Sequence, residues 1–508
     1  MKRPIHRRRA GLAALLALCL LLSGCVSSGI LPEGGAQEAA LPEPQEPSVD
    51  PVWGDRTSAC AQDVRLYYLT MDERDLAAVT RTVTSSGDQR MEEQVLELLL
   101  SQTPTGLSSI AHEGVHIRSL TLSCGVATVD LSLSAPVDEQ AVLRMQSAIA
   151  NTLASLPGVE AVNLLLEGRK TALRGLSAGL TRYNENSLSA QWSQLLADEE
   201  LMSAASVTRE AAVYYAGREG MYLAPQICTV TLSGGNPLGD LISFMQQQPG
   251  ERALRAVLPP ENQLVEQPKL LITAGGERIV KIVLAANSLA VFESLGLAPW
   301  QVYAALTLTL TEFVPELDGV CVYVGEGQAL RTESPAGELA FPGGIMHRDD
   351  FTGFVGERLR VYQTGGDGML AASTRLVSQY EAPLNARQLI SATLEGSQAW
   401  ETSLTPVAPA DVNADDLLGV SVGDGRAVVN FSARFYEACQ TLSAEQERNL
   451  TYALVNVLCT LPGVKSVCFQ REGQAVEYLA RSIYLRVPLI PNPGLVSAEM
   501  HAENLIAP

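Results

Sequence analysis

With 508 residues, 46% of them apolar, the chain is long enough for three or four domains with their own cores. Its formal charge is −20, and setting aside residues 1–24, which hold five basic and no acidic side chains, leaves 31 basic against 56 acidic groups. So acidic a body repels phosphate backbones and anionic headgroups, which excludes nucleic-acid binding and disfavours peripheral docking on anionic lipid.

Residues 1–24 read as a lipoprotein signal peptide. Lys2, Arg3 and Arg7 to Arg9 form a basic region, an apolar run spans Ala10 to Leu22, and Leu22-Ser23-Gly24-Cys25 has the form of a lipobox. The small residues before Cys25 suit cleavage, and its thiol is the expected lipidation site. An uncleaved anchor is the alternative, but the apolar core is short for a span. Arg7-Arg8 suggests a twin-arginine signal that nothing else supports. Ile272 to Leu295 comes nearest to a second span and is broken by Glu277, Arg278, Lys281 and Glu293. The expected location is therefore the cell membrane, lipid-anchored on the extracytoplasmic face. Residues 25–62, rich in Pro, Glu, Gly and Ser, are expected as a lipid-anchored flexible spacer.

Within the first module, 63–172, Val64–Leu69 and Leu76–Val83 have strand character, and Glu92 to Leu100 is helical. Val115–Ser123 and Val126–Leu131 suggest a hairpin turning at Cys124-Gly125. A helix starting near Asp138 presents Val142, Met145, Ile149 and Leu153 on one face and stops at Pro157-Gly158; Val159–Leu166 is a last strand. The same order returns at 357–480. Leu76-Ala-Ala-Val-Thr-Arg-Thr-Val83 recurs as Leu370-Ala-Ala-Ser-Thr-Arg-Leu-Val377, and Ala127–Ser132 as Ala427–Ser432. Leu156-Pro-Gly-Val159 recurs as Leu461-Pro-Gly-Val464, and Glu167-Gly168 as Glu472-Gly473. The second helix of that copy opens with Ser443-x-x-Gln446, the spacing of a capping box. A degenerate copy at 210–330 keeps Val213-Tyr-Tyr215, Leu223 and the Arg278–Val283 strand but lacks the Thr-Arg pair. Residues 173–209 and 331–356 are expected as linkers, with a helix between Ser189 and Ala205, and 481–508 as a C-terminal tail. The fold class is α/β (α+β): tandem small modules, each a mixed β-sheet with two helices packed on one face.

Beyond Cys19 and Cys25, seven cysteines remain, with no CxxC and no shared positions between the best-matched modules. Mostly buried free thiols are expected, with Cys459 and Cys468 the one pair suited to an incidental bridge.

This succession of a Tyr-bearing strand, a Leu-x4-Arg-x-Val strand, a helix, Val-Asp-Leu-Ser, a long helix and a strand ending in Gly resembles the GerMN domain of sporulation and spore germination, found in lipoproteins. The resemblance covers 63–170 and 357–475 well. It implies a fold similar to ring-building motifs, which pack side by side, and a role in the envelope in engulfment, intercompartment assembly or germination. It implies no enzymatic activity, no catalytic residues and no cofactor. The implied partners are the membrane, through the anchor, and envelope or sporulation proteins; homo-oligomerisation stays open.

Three motifs invite other chemistry. His112-Glu113-Gly114-Val115-His116 fits H-E-x-x-H, which makes a zinc metallopeptidase the remote alternative. That motif works on a helix, however, and here Gly114 and the alternating Val115–Arg118 suggest a strand. Gly175-x-Ser177-x-Gly179 fits a nucleophile elbow but follows the last strand of a module, so it reads as linker. Asp130 and Asn430 recur at one strand position, expected to cap the turn after the strand. Arg81 and Arg375 recur as candidates for a structural ion pair or a docking face. Two non-enzymatic functions follow: a tethered lipoprotein that scaffolds or docks an envelope assembly, or one that binds a small ligand or cell-wall fragment in a cleft between modules.

Overall fold

The computed structural model describes residues 50–84, 90–110, 114–173, 176–177, 179–202, 206–233, 235–259, 264–314, 316–379 and 384–497. Cys25, the signal peptide, the spacer up to residue 49, His112, Glu113 and residues 498–508 lie outside them.

The described chain starts with an arm whose strand β1 (Arg56–Thr57) joins the third module. The first module follows. Strands β2 (Ala61–Leu69) and β3 (Leu76–Thr84) form an antiparallel hairpin, and α1 (Met91–Ser101) follows. Then come β4 (His116–Ser123), β5 (Val126–Ser132), α2 (Glu139–Leu153), β6 (Ala161–Leu166) and β7 (Arg169–Lys170). The sheet runs β4-β5-β6-β7, with β5 and β6 parallel and joined through α2. The β4–β5 turn needs two residues with positive φ, and Cys124 (φ 49°) and Gly125 (φ 79°) supply them. Asp138 caps α2 by accepting from the Ala141 N–H at 2.7 Å. Val142, Met145, Ile149 and Leu153 are all buried, as the periodicity predicts. One detail differs from a single mixed sheet. The β2–β3 hairpin is not hydrogen-bonded to the four-stranded sheet, and α2 touches both β2 and β6, which buries it nearly all round.

A small hairpin, β8 (Ala172–Leu173) with β9 (Leu176–Ser177), and helix α3 (Leu188–Met202) lead to the second module. It repeats the plan: hairpin β10 (Ser206–Gly217) and β11 (Leu223–Ser233), helix α4 (Pro237–Phe244), then β12 (Leu254–Arg255) at the edge of β10. Next come β13 (Lys269–Ile272), β14 (Arg278–Leu284), α5 (Ser288–Ser294), α6 (Pro299–Phe313), β15 (Gly319–Val324) and β16 (Gly327–Gln328). Here too the two strands flanking the long helix, β14 and β15, are parallel. The Ile272–Leu295 segment is thus strand and short helix, and no single helix among the described residues is long and apolar enough to cross a membrane.

The expected linker 331–356 is instead part of the second module. After hairpin β17 (Arg331–Ser334) and β18 (Gly337–Ala340), β19 (Met346–His347) adds to β15, and Phe341, Phe351 and Phe354 enter the core. The third module comprises β20 (Gly356–Thr364), β21 (Leu370–Ser378), α7 (Ala386–Glu395), β22 (Leu417–Gly423), β23 (Arg426–Phe431), α8 (Ala433–Cys439), α9 (Ala444–Leu458), β24 (Ser466–Arg471) and β25 (Gln474–Ala475). Ser443 and Gln446 complete the predicted capping box, each side chain accepting from the other's backbone N–H at 3.2 and 2.9 Å.

Each module has its own apolar core, and that of the second extends into Cys124, Val126 and Ala161 of the first and Leu376 of the third. Both ends of the described chain are tied to the third module. Part of the expected spacer is ordered there: Val52 is buried and β1 runs parallel to β22. This approach requires bare backbone. A Cβ on Gly419 would sit 2.5 Å from Gly54, and one on Gly423 would strike Ser58. The tail is held through residue 497. The buried Glu447 carboxylate accepts from the N–H groups of Ala480, Arg481, Ser482 and Ile483, and Asn456 exchanges two bonds with Asn492.

Candidate functional site

The recurring polar position acts on a different turn from the one expected. Asp130 lies near the end of β5, and its Oδ1 accepts from the Gly168 N–H at 2.8 Å, in the turn after the neighbouring strand β6. Asn430 does the same for Gly473 at 2.8 Å. Both turns pair a Glu and a Gly at positive φ, near 50° and 80°. The identity of the residue follows its second partner. Asp130 faces the Arg118 guanidinium at 3.3 Å, where another acceptor is needed. Asn430 faces the Val52 carbonyl of the arm and donates to it from Nδ2 at 2.7 Å, which no ionised carboxylate can do. In the second module the register puts Val283 at this position, so the clasp is lost.

The two recurring arginines have diverged. Arg375 caps the C-terminal end of α7, donating to the carbonyls of Ala392 and Gly396 and pairing with Glu395 at 2.6 Å. Arg81 is exposed on β3. All seven remaining cysteines are free thiols, and Cys459 and Cys468 are not bridged. His116 is exposed on strand β4, not on a helix, and among the described residues no group of three His, Cys, Asp or Glu is placed to hold a metal. Ser177 lies in a two-residue strand, with no helix until Leu188.

Two buried polar clusters, neither legible in the sequence, join the modules. Between the first and second, Lys170 donates to the carbonyls of Thr311 and Glu312 at the end of α6, and Asn163 donates to the Glu312 carboxylate at 2.8 Å. Arg348 pairs with Glu312 at 2.8 Å and donates to Tyr214 Oη at 2.8 Å. Burial pushes the Lys170 amine down to about 8, although Glu312 opposes the shift. The second cluster brings all three modules together. Arg358 of β20 pairs with Glu251 at 2.7 Å and donates to the Pro225 carbonyl. The preceding Glu357 accepts from the Cys124 N–H at 2.8 Å, and the Cys124 thiol donates to the Gly356 carbonyl at 2.7 Å. Burial opposes the charge on Arg358, yet Glu251 holds its pKa above the usual guanidinium value. Burial and Glu357 push the Cys124 thiol up to about 12.

Beside this second cluster lies a cleft of about 360 Å³ between the second and third modules. Ala371, Ala372 and Thr374 of β21, within the repeated octapeptide, are among its lining residues, and Ala372 and Thr374 share one face of the strand. Arg218, Arg252 and Arg360 stand around it, and the Trp400–Leu404 loop forms one wall. The Arg218 guanidinium lies 5.7 Å from the Trp400 ring centroid. The two carboxylates at the lining are engaged: Glu251 with Arg358, and Glu401 with the Ser373 hydroxyl at 2.6 Å and the Gln398 N–H at 2.7 Å.

Comparison with known proteins bears on the modules. The family described as sporulation and spore germination matches residues 65–172 and 360–477. Among solved structures, the tandem GerMN domains of the sporulation protein GerM from Bacillus subtilis are similar at 17% identity, over 56% of this chain and 99% of that one, with a TM-score of 0.23. The first GerMN domain of the same protein is similar at 15% identity, over 25% of this chain and 99% of that one, with a TM-score of 0.21. No curated protein matches. The first and third modules of this chain are thus the segments that match the sporulation and spore germination family.

Proposed function

We propose that this chain is a membrane-tethered, extracytoplasmic lipoprotein, anchored through Cys25, that scaffolds or docks an envelope assembly in sporulation or spore germination without catalysing a reaction. The observation that supports it most is the fixing of three modules into one unit by the Lys170 and Arg358 clusters, which holds several surfaces at set spacings. One surface stands out. Strand β13 is the edge of its sheet, with Leu270, Leu271 and Ile272 between 41% and 72% exposed. The corresponding edge of the third module, β22, is already covered by an extended segment, β1. By that precedent, the occupant of β13 is an extended apolar strand of an envelope protein. Crosslinking and pull-down from cells at successive growth and sporulation stages tests the reading. Recovery of envelope-assembly proteins supports it, and recovery of soluble substrate-import components alone overturns it.

The inter-module cleft favours a second reading, in which the same tethered protein binds a small ligand or cell-wall fragment.

A further inference from the structure

We propose that the occupant of the cleft between the second and third modules is the chain's own segment 498–502, added to the β20–β21 hairpin as a third strand parallel to β21. The scaffold reading does not depend on this occupant, whereas a ligand of the second reading has to displace it. Three observations point to it. The first is the phase of the hairpin. The Gly365 N–H donates to the Met369 carbonyl at 2.7 Å, and the register then pairs Thr364 with Leu370 and Gln363 with Ala371. Hydrogen-bonded pairs alternate along an antiparallel ladder, so the next falls on Gln363 and Ala371. Leu370, Ala372 and Thr374 therefore turn their N–H and C=O groups away from β20. Because β21 is an edge of a two-stranded sheet, those groups face the side on which a further strand adds.

The second is that the added ladder has already begun. Leu370 and Val496 form a parallel bridge, the Ser497 N–H donates to the Leu370 carbonyl at 2.8 Å, and both bridge residues are buried in the third core. Ser497 lines the cleft together with Ala372 and Thr374. Continued in steps of two, the parallel register sets Ala498 beside Ala372 and Met500 beside Thr374. The Glu499 N–H then meets the Ala372 carbonyl, and the His501 N–H meets that of Thr374, which supplies partners for backbone groups that a covered edge cannot leave bare. The same module shows the precedent, since its β22 edge is covered in parallel by β1.

The third is the sequence that follows. Ala498-Glu499-Met500-His501-Ala502-Glu503 alternates apolar and polar residues without a break, the period of a half-buried strand. In the register that the Leu370–Val496 bridge sets, Ala498 and Met500 share the face of Ala372 and Thr374, two residues that line the cleft, and Glu499 and His501 take the opposite face. A slip of one residue would exchange the two sets, so the alternation and the bridge agree on a single register. The cleft, of about 360 Å³, gives the Met500 side chain room.

The test is disulfide trapping in the purified full-length chain, read by mass spectrometry of the oxidised peptides. Neighbouring in-register residues of two paired strands fall within the roughly 4.4–6.8 Å between Cα atoms that a disulfide spans. Thr374→Cys with Met500→Cys is therefore expected to close within one chain at least tenfold more than Thr374→Cys with His501→Cys. Hydrogen exchange at the Thr374 amide gives a second readout without introduced cysteines. Glu499→Pro removes an N–H that points at β21 and is expected to speed that exchange at least tenfold. Ala498→Pro removes one that points away and is expected to leave it within about twofold of the parent. Trapping between chains, which would make a second copy the occupant, overturns the inference. So do equal yields from the two cysteine pairs, no trapping in either, or exchange at Thr374 that ignores Glu499→Pro or responds equally to both prolines.

Discussion

Replacing Arg358 with Ala probes whether the three modules behave as one unit. The Arg358 and Glu251 side chains are only 13% and 16% exposed, and their Nε···Oε2 distance is 2.7 Å. Removing the guanidinium strands the Glu251 carboxylate, whose Oε1 already lacks a hydrogen-bond partner among the described residues, and leaves the Pro225 carbonyl without its donor. Breaking a buried pair from one side costs about 3–5 kcal/mol, because the remaining charge is neither solvated nor compensated. Replacing both partners with Arg358→Met and Glu251→Gln removes the stranded charge and is expected to recover most of that loss. Urea denaturation followed by tryptophan fluorescence measures both variants, and Trp300 and Trp400 report on the second module and the cleft beside it. A single variant within about 1 kcal/mol of the parent would refute the reasoning, since surface pairs contribute no more than that. So would a double variant no more stable than Arg358→Ala.

Further expectations follow from the same contacts. Asn430→Asp should release the N-terminal arm, because the carboxylate faces the Val52 carbonyl; limited proteolysis would then cut near residues 50–58, and an arm as resistant as the parent's would count against the clasp. Burial raises the thiol pKa of Cys124 and Cys439 to about 12 and of Cys228 and Cys459 to about 11, from the ordinary thiol value of 9. These thiols keep their protons longer in the folded state, so their contribution is full below pH 9 and is lost as pH rises toward 11–12. For Cys124 and Cys439, the more deeply buried of them, this adds up to about 1.4 kcal/mol per pH unit to the alkaline loss. Lys170 works oppositely from about pH 8, because its folded pKa is lowered. Stability measured between pH 8 and 11 should therefore fall less steeply after Cys439→Ala. On β13, Leu271→Glu with Ile272→Glu should abolish partner recovery while changing stability by about 0.5 kcal/mol or less, since both side chains are exposed. Cys25→Ser should move the protein from the membrane to the soluble extracytoplasmic fraction, as read by fractionation and immunoblot.

Local features were legible in the sequence because local physics determines them. The α2 stripe, the Ser443 capping box and the Cys124-Gly125 turn depend on residues within a few positions of one another. Contacts between distant segments were not legible. Residues 331–356 read as linker because their aromatic side chains show no periodicity, yet Phe351 and Phe354 fill the second core. The docking of the arm did leave a signal. Gly419 and Gly423 stand on β22 where the register places Ser119 and Ser123 on β4; at 419 only glycine admits the Gly54 backbone, and at 423 only glycine leaves the Ser58 hydroxyl its place. The cleft left none, because three arginines far apart in sequence meet only through the packing of two modules.

The degeneracy of the middle copy follows from its position between two others. In the first and third modules, the second strand of the opening hairpin carries Leu-Ala-Ala-x-Thr-Arg. In the second module the equivalent strand, β11, reads Leu223-Ala-Pro-Gln-Ile-Cys228, and its carbonyls serve neighbouring segments: Pro225 accepts from Arg358 and Ile227 from Arg182. A proline fits there because β11 is the edge strand of its sheet, in the order β11-β10-β12. The clasp position likewise became Val283, beside residues 264 and 265, which pair with Leu284 and Val283. Substitutions in the middle copy thus sit where flanking segments cover it. The family's pattern survives in the two outer modules, where the third copy's octapeptide lines the cleft and the first copy's Thr80 and Arg81 remain exposed.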